Sequence, residues 1–360
     1  MTDPAAGGIT MEELALAARN HGMPLEALRY DVTPVGLHYL LIHFDIPAAD
    51  AAAWTLELGG QLERPRTLTL DELRRRPQVT APVTLECAGN GRARLDPRPI
   101  SQPWLEEAVG TAEWTGTPLA PLLEDAGIGP GAVEVVFGGA DRGVQGGLEQ
   151  DYERSLPVDE ALREEVLVAW GVNGRPLPPQ HGHPLRLVVP GWYGMTSVKW
   201  LRRITVVTEP FGGYQQTGSY LLHASEDDPG TPVTRILPRS LLLPPGIPEF
   251  ESRVRFLEPG RHRLTGRAWS GLALIASVEV STDGGAGWQP AELRPQPSPW
   301  AWAGWSFAWE ATPGGYELCS RATDAAGNTQ PLEVPWNTGG YANNAVQRVP
   351  VTVRPAPPPG

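Results

Sequence analysis

Cysteine and long apolar runs are both scarce in this sequence. Only two cysteines, Cys87 and Cys319, occur among the 360 residues. A disulfide between them is disfavoured because they are far apart and fall in different predicted domains. No apolar run approaches the ~18 residues of a membrane span, so we expect no transmembrane helix. The Cys-x-x-Cys-His motif of haem attachment is also missing, so no built-in haem relay is expected.

Basic residues are fewer than acidic ones, with 29 Lys and Arg against 41 Asp and Glu and a net charge of -12. Phosphate contacts need clustered Lys and Arg, so this balance argues against nucleic acid as a partner. Residues Met1 to Gly8 carry neither the basic segment nor the apolar core of a signal peptide. We therefore expect a cytoplasmic protein, or a periplasmic one if an export leader has been removed.

Glycine and proline, by contrast, are abundant, with 41 and 39 residues, which favours turns and short strands. The capping-box pattern of Thr10 and Glu13 predicts a helix over residues 10–20. Two more helices are predicted over residues 69–76 and 118–126, the latter stopped by Gly127. Alternating or apolar runs predict strands at residues 54–60, 133–137, 166–172, 185–189 and 204–207. These elements indicate a mixed α/β domain over residues 33–236, after an N-terminal extension over residues 1–32.

The character of the sequence changes after about residue 234. Residues 237–248 are rich in proline and leucine and are typical of a linker that runs over the surface. Short alternating strands follow at residues 253–256, 262–268, 276–281, 304–309 and 316–322, which predicts an immunoglobulin-like β-sandwich over residues 237–352. The proline-rich tail, residues 353–360, is expected to be disordered. The fold class is therefore α+β, with two domains.

Cys87 is the residue with the most informative surroundings. It follows the β-forming residues Val83 to Leu85 and precedes Gly89, so its thiol is presented at the end of a strand beside a flexible turn. A lone cysteine is usually a buried structural thiol, and with a histidine partner it can be a nucleophile. A thiolate is also a soft metal ligand, and the Gly-Asn-Gly-Arg context, which leaves room for a large group, favours this third interpretation.

Several motifs in order along the chain resemble the sulfite oxidase family of molybdopterin-dependent oxidoreductases, in the form of its bacterial members without a haem domain. The motifs are Glu86-Cys87-Ala88-Gly89-Asn90, the run from His181 to Gly191, Ser197-Val198-Lys199-Trp200-Leu201, Asp283-Gly284-Gly285, and Trp300-Ala301-Trp302. Several independent motifs in family order are far more specific than one short pattern.

The resemblance implies a molybdenum–molybdopterin cofactor, with Cys87 as the metal ligand. In this family, the positions that surround the pterin match Tyr39, Leu40, Leu41, Ile42, His43, Cys87, Asp141, His181, Arg186, Ser197, Val198 and Lys199. Arg92 matches an arginine of the anion pocket. Tyr220 matches a tyrosine beside the metal-oxo group, so the implied catalytic residues are Cys87, Arg92 and Tyr220.

This chain departs from the family where sulfite oxidases place further arginines. Leu41 occupies one of those positions, Gly91 a second, and Ser298 or Pro299 a third. Fewer arginines weaken the attraction for a small dianion. Arg94 or Arg235 could replace them only by reaching the same pocket.

The implied function is oxidation of sulfite or a related sulfur compound, with electrons passed to an external acceptor such as a cytochrome. Sulfane sulfur, a sulfoxide or nitrate are alternative substrates, and a non-catalytic β-sandwich binding protein is the alternative from another class. The resemblance also implies a homodimer through the C-terminal domain, and the tryptophan-rich run Trp300, Trp302, Trp305 and Trp309 is predicted to form its interface.

Overall fold

The protein, seen in a computed structural model that describes residues 8–225 and 227–355, is built mainly from β-strands. The α-helices are α1 (Met11–Arg19), α2 (Leu70–Arg74), α3 (Ala120–Ala126), α4 (Val158–Ala161) and α5 (Tyr214–Thr217). Single turns of 3₁₀-helix occur at Leu25–Arg29, Val35–Leu37, Arg92–Arg94, Pro179–His181 and Gly194–Thr196. None of these described helices is long and apolar enough to cross a membrane.

The N-terminal domain contains twelve strands: β1 (Thr55–Gly60), β2 (Arg66–Thr69), β3 (Val79–Glu86), β4 (Val109–Pro118), β5 (Glu134–Gln145), β6 (Leu148–Pro157), β7 (Leu167–Val172), β8 (Arg175–Pro176), β9 (Arg186–Val188), β10 (Leu201–Val207), β11 (Leu221–Leu222) and β12 (Thr231–Pro232). One sheet has the order β2-β1-β10-β5-β6. A second has the order β3-β4-β7-β8, with β9 beside β7, and β11 pairs with β12. The domain is therefore mostly β, not the balanced α/β mixture expected from the sequence.

The predicted helices form, but they are short. Thr10 caps α1 and Thr69 caps α2, each through a capping box that satisfies two backbone N–H groups. Gly127 ends α3 with φ +73°, a conformation that glycine adopts without steric cost. α2 follows β2 directly and α3 begins two residues after β4, so strand pairing limits both helices at their N-terminal ends.

The C-terminal domain contains two further sheets. Their strands are β13 (Arg239–Leu242), β14 (Ile247–Pro248), β15 (Arg255–Leu257), β16 (Gly260–Trp269), β17 (Ile275–Ser281), β18 (Gln289–Pro290), β19 (Glu292–Leu293), β20 (Ala303–Ala311), β21 (Gly314–Asp324) and β22 (Val349–Val353). The sheet orders are β13-β16-β20-β19 and β14-β15-β22-β21-β17-β18. Leu264, Trp305, Val278 and Val351 from both sheets share one apolar core, so the sheets form a sandwich.

Two boundary predictions need correction. The segment predicted to be a surface linker contains β13, and its Leu241 and Leu242 are fully buried because β13 pairs with β16 at the edge of the sandwich. Val353, assigned to the disordered tail, belongs to β22 and pairs with Gly314. Residues 356–360 of that tail, and residues 1–7 of the N-terminal extension, lie outside the described residues.

The tryptophan-rich run does not form an exposed interface, so that prediction is wrong. Trp305 and Trp309 fill the sandwich core, and Trp302 is buried between the domains. Trp300 is half-buried, with the guanidinium of Arg163 lying 4.8 Å from its ring centre. The apolar surface that was expected to face a partner is therefore buried inside the sandwich and at the junction between the domains.

A separate core joins the two domains. Met23 and Leu28 of the N-terminal extension pack there with Tyr220, Leu241 and Trp269. Because this cluster draws on the extension and on both domains, it fixes the C-terminal sandwich against the end of β3. That end of β3 carries Cys87.

Candidate active site

Cys87 follows β3 directly and begins a tight loop. Its N–H donates to the Ala108 carbonyl at 2.9 Å, and its carbonyl accepts from Asn90 N–H at 3.0 Å. Gly91 closes the loop with φ +90°, and a Cβ there would lie 2.9 Å from the Asn343 carbonyl oxygen, so only glycine fits. Both Cys87 and Cys319 are buried free thiols, so the disulfide stays excluded and the Cys87 sulfur is available as a ligand.

The C-terminal domain holds this loop in place. Glu86 is buried and accepts hydrogen bonds from Arg239 at 3.0 Å and from Trp269 Nε1 at 2.7 Å. Asn343 Nδ2 donates to the Gly91 carbonyl at 2.8 Å, and Ala342 N–H donates to the Ala88 carbonyl at the same distance. The position of Cys87 is therefore fixed from both domains.

A first cavity opens beside Cys87. Its walls are His38, Tyr39, Leu40, Leu41, His43, Leu85, Cys87, Asp141, Tyr152, His181, Arg186, Gly194, Met195, Ser197, Lys199 and Tyr220. They come from the loop before β1, from β3, β5, β6 and β9, and from the segments that precede β10 and β11.

Arg186 is a buried cation in the first cavity. Its guanidinium donates to the carbonyls of His181 and Ser197, both at 3.1 Å, and lies 4.6 Å from the Trp114 ring centre. No carboxylate pairs with it among the described residues. Burial lowers the pKa of Arg186 to about 10, which still leaves it charged near neutral pH. A buried cation without a counter-charge favours an anionic ligand.

Lys199 adds a second buried amine. Its Nζ donates to the Leu41 carbonyl at 2.7 Å and to the Gln180 carbonyl at 3.0 Å. Burial, with a smaller contribution from Arg186, lowers the pKa of Lys199 to about 7. An anion bound in the cavity would raise that pKa again and hold the proton on Lys199.

Asp141 supplies an acceptor to the same cavity. Its Oδ1 is buried without a hydrogen-bond partner among the described residues, and burial raises its pKa to about 7. Asp141 lies inside β5, which continues to Gln145 beyond the predicted strand 133–137, and the register with β6 shifts between Gly138 and Arg142. This irregularity turns the carboxyl group into the cavity.

Three buried histidines are neutral near physiological pH. Burial lowers the pKa of His38 and of His43 to about 4, and that of His181 to about 2. His43 Nε2 lies 2.7 Å from Gln145 Oε1, which makes that nitrogen the donor because an amide oxygen can only accept. His38 Nε2 has no partner among the described residues. The histidines therefore offer hydrogen-bonding groups and no net charge.

These features fit molybdopterin. The guanidinium of Arg186 and the amine of Lys199 suit its phosphate, and the orphaned Asp141 Oδ1 and His38 Nε2 suit the polar edge of its ring system. Cys87 is placed to bind the molybdenum. Among the described residues, no group of three or more His, Cys, Asp or Glu side chains could hold a metal. The two histidines of the His181-Gly182-His183 sequence therefore have no third side chain with which to form a zinc site.

A second cavity also opens beside Cys87. Its walls are Leu16, Leu41, Ile42, His43, Phe44, Cys87, Gly89, Arg92, Ser101, Gln102, Trp104, Val144, Gln145, Ser219, Tyr220 and Tyr341. Cys87, Tyr220, Leu41 and His43 line both cavities. A reactant in the second cavity would thus meet a group bound to Cys87.

Arg92 is the only charged side chain among the described residues that line this second cavity. Its Nε donates to the Gly339 carbonyl at 2.8 Å and its Nη1 to the Gln102 carbonyl at 2.9 Å. These bonds leave part of the guanidinium fork free. Arg92 also lowers the pKa of the Cys87 thiol, although burial, the larger effect, raises it overall.

Tyr220 stands between the cavities in an uncommon backbone conformation, with φ +57°. Burial raises the pKa of its hydroxyl well above the usual value, so it remains a hydrogen-bond donor. Trp104 Nε1 is also buried, and it makes no well-aligned hydrogen bond among the described residues. It nevertheless lies close enough to the Cys87 thiol to lower the pKa of that thiol. Both groups can donate to an atom close to Cys87.

The remaining predicted site residues are distributed differently. Ile42 lines only the second cavity, and Val198 lies in the core of the N-terminal domain. Arg94 pairs with Glu106 and Arg235 with Glu160, so neither replaces the missing family arginines. Ser298 donates to the Pro82 carbonyl, and neither Ser298 nor Pro299 is among the described residues that line the cavities.

Sequence reasoning missed four residues that the structure brings to the site. His38 and Tyr152 line the first cavity, and Trp104 and Tyr341 line the second. His38 directly precedes the predicted run 39–43, so extending that run by one residue would have included it. Tyr341 belongs to the C-terminal domain and carried no usable signal, because only the domain contact places it beside Arg92.

Comparison with known proteins agrees with this geometry. Residues 43–215 match the Oxidoreductase molybdopterin binding domain, and residues 247–354 match the Mo-co oxidoreductase dimerisation domain. The NADH nitrate reductase of Solanum lycopersicum is 33% identical over 93% of this chain and 40% of its own length. The NAD(P)H nitrate reductase of Hordeum vulgare is 34% identical over 89% of this chain and 39% of its own length. This chain therefore spans about two fifths of these relatives.

A solved structure extends the likeness to the whole chain. The sulfane dehydrogenase SoxCD from Paracoccus pantotrophus superposes with a TM-score of 0.80 and 27% identity, over 92% of this chain and 86% of that one. The likeness covers both domains in the same order, and the residues of the first cavity around Cys87 fit a molybdopterin cofactor. This chain belongs to the sulfite oxidase family of molybdopterin-dependent oxidoreductases, with a molybdenum–molybdopterin cofactor.

Proposed function

We propose that this protein oxidises an anionic sulfur compound, sulfite or a related species, by oxygen-atom transfer. The observation that supports this most directly is the place of Cys87, in the wall shared by a cavity that suits the pterin and a cavity that contains Arg92. When bound, the cofactor supplies the oxygen-atom and two-electron chemistry. The protein supplies the thiolate, the orientation of the reactant and the local charge.

The second cavity has mixed chemistry. One guanidinium group, of Arg92, provides a fork for an oxyanion. Leu16, Leu41, Phe44 and Val144 make much of the remaining wall apolar. This lining favours a reactant with a bulkier or less charged body than sulfite, and we expect sulfite itself to bind weakly.

Three residues would act on the reactant. Arg92 would hold its anionic end, since its fork is free beyond the bonds to Gly339 and Gln102. The hydroxyl of Tyr220, protonated because burial raises its pKa, would donate to the reacting oxygen. Cys87 would fix the metal between them. Electrons would leave to an external acceptor, such as a cytochrome.

Two alternatives are favoured by specific findings. The nitrate reductases are 33–34% identical to this chain, which favours nitrate reduced in the opposite direction. The sulfane dehydrogenase, aligned over nearly the whole chain, favours sulfane sulfur. A sulfoxide is a further alternative. Each would use the same cofactor and the same second cavity.

An activity screen of the molybdenum-loaded protein separates these substrates. Sulfite and thiosulfate are supplied with an artificial electron acceptor, and nitrate and a sulfoxide with an artificial donor. Oxidation of a sulfur compound that is lost in Arg92→Gln but retained in the exposed control Arg142→Gln supports the proposal. Turnover of nitrate alone would replace it with the nitrate alternative.

The C-terminal domain supports the assembly of this enzyme. Its match to the Mo-co oxidoreductase dimerisation domain supports a homodimer. We further propose that its two facing sheets have an immunoglobulin-like arrangement, because both sheets pack over one core in a domain of about a hundred residues. A comparison of strand connectivity in an experimental structure tests that assignment.

A further inference from the structure

Arg154 is a buried arginine that the proposed function does not use. It lies on β6, lines neither cavity, and its residue is 2% exposed. Its Cζ atom is 5.5 Å from the ring centre of Tyr220. Nη1 donates to the Gln215 carbonyl, whereas Nε has no partner among the described residues. No carboxylate pairs with this guanidinium in the part of the chain that the structure describes.

Arg154 is one end of a row of four side chains. Arg92 Cζ lies 5.2 Å from the Tyr341 ring centre, the Tyr341 and Tyr220 ring centres are 5.1 Å apart, and Arg154 follows behind Tyr220. The hydroxyl groups of Ser219 and Tyr341 lie 3.2 Å apart, so a hydrogen bond holds Tyr341 against the residue that precedes Tyr220. Two cations thus flank a pair of aromatic rings that form part of the second cavity.

The charges in this row are not balanced. Neither guanidinium has a carboxylate partner among the described residues, and a buried charge is costly unless a counter-charge comes close. An anion in the second cavity would supply that counter-charge to both. Because Arg154 is buried, its field is screened by dissolved salt much less than that of a surface arginine.

We propose that Arg154 is a specificity-determining residue for anionic reactants, which it attracts across the ring of Tyr220 without touching them. The inference rests on the proposed function, because it assumes that the reactant in the second cavity is an anion. It also explains how a cavity with Leu41 at a family arginine position retains positive potential. Arg92 provides contact and geometry, and Arg154 provides charge.

The expected effect is large enough to measure. The guanidinium of Arg154 is separated from the second cavity by the Tyr220 ring, which puts it some ~9 Å from a dianion bound there. Its unit charge acts on that dianion through an effective dielectric constant of about 20. Its loss should weaken dianion binding about hundredfold to thousandfold. A neutral ligand of similar size should lose almost nothing.

Equilibrium binding to the molybdenum-loaded enzyme tests this. Sulfate serves as the dianion and dimethyl sulfoxide as the neutral probe, each followed by the change in visible absorption of the oxidised protein. We expect Arg154→Gln to raise the Kd of sulfate about hundredfold to thousandfold and to leave that of dimethyl sulfoxide unchanged. Arg154→Lys, which keeps the charge, should stay within about threefold of wild type. Arg142→Gln, exposed on the neighbouring strand, is the matched control.

Each result decides the question. Unchanged sulfate binding in Arg154→Gln at full molybdenum content would overturn the inference. Equal losses for sulfate and dimethyl sulfoxide, or equal loss of molybdenum in Arg154→Gln and Arg154→Lys, would show a structural role and overturn it as well. If the wild type binds dimethyl sulfoxide but no sulfate, the anionic reactant of the proposed function is wrong. That result is distinct from failure of the Arg154 variants alone.

Discussion

Replacing Arg239 with methionine tests how strongly the C-terminal domain holds the cysteine loop. Arg239 and Glu86 form an ion pair at 3.0 Å in which each side chain is 2% exposed. Methionine keeps the length of the stem but removes the charge. Among the described residues, only Trp269 and Asn90 would then remain as donors to the buried Glu86 side chain.

The cost follows from desolvation. A carboxylate left buried without its cation destabilises a protein by about 3–5 kcal/mol, whereas loss of an exposed pair costs about 1 kcal/mol or less. The exposed pair Arg142–Glu149, with side chains 61% and 66% exposed, provides the control Arg142→Met. The double variant Glu86→Gln with Arg239→Met removes both charges and should recover a large part of the loss.

The assay is urea unfolding of the cofactor-free protein, combined with molybdenum per chain in the loaded protein. We expect Arg239→Met to lower the unfolding midpoint and to reduce cofactor retention, because Cys87 directly follows Glu86. Equal losses in Arg239→Met and Arg142→Met would refute the reasoning. They would mean that Glu86 finds water or another donor once Arg239 is gone.

Further predictions concern the cysteine, the anion contact, acid stability and assembly. Cys87→Ser should abolish turnover without lowering the unfolding midpoint, because serine is a harder ligand than thiolate; near-native activity would contradict the assignment. Gly89→Ala should raise Michaelis constants for anions with unchanged molybdenum content, because a Cβ there would displace the guanidinium of Arg92. The cofactor-free protein should lose stability from about pH 6.5 to 4, as measured by its melting temperature. In that window the histidines of the unfolded chain become protonated. His38, His43 and His181 of the folded protein stay neutral because burial lowers their pKa values. Asp141, with its raised pKa, offsets part of this loss, so a flat profile would show that the histidines are solvated. Sedimentation should give a dimer at micromolar concentration, and a monomer there would contradict the dimerisation match.

The fold was predictable where a local pattern decides it. The capping box at Thr10, and the end of α3 at Gly127, each depend on a few neighbouring residues. The prediction of a surface linker over residues 237–248 was wrong because proline and leucine are found both in linkers and in buried edge strands. Only pairing with β16, distant in sequence, decides between them.

The site was predictable where motif and chemistry coincide. Cys87, Asp141 and Lys199 all reach the first cavity from separate segments. Val198 does not, because the chain turns at this point and its side chain packs into the core of the N-terminal domain. Arg154 lies in no motif, and its importance depends on the lack of a carboxylate neighbour, which a sequence does not show.

The bond between Arg92 and the Gly339 carbonyl joins residues 247 positions apart. During synthesis from the N-terminus, domains fold largely in the order in which they emerge. The cysteine loop is therefore complete long before the segment that fixes it exists. It follows that a nascent chain ending before β13 should expose Gly91 to proteases, and that the loop becomes protected only when residues 339–343 arrive.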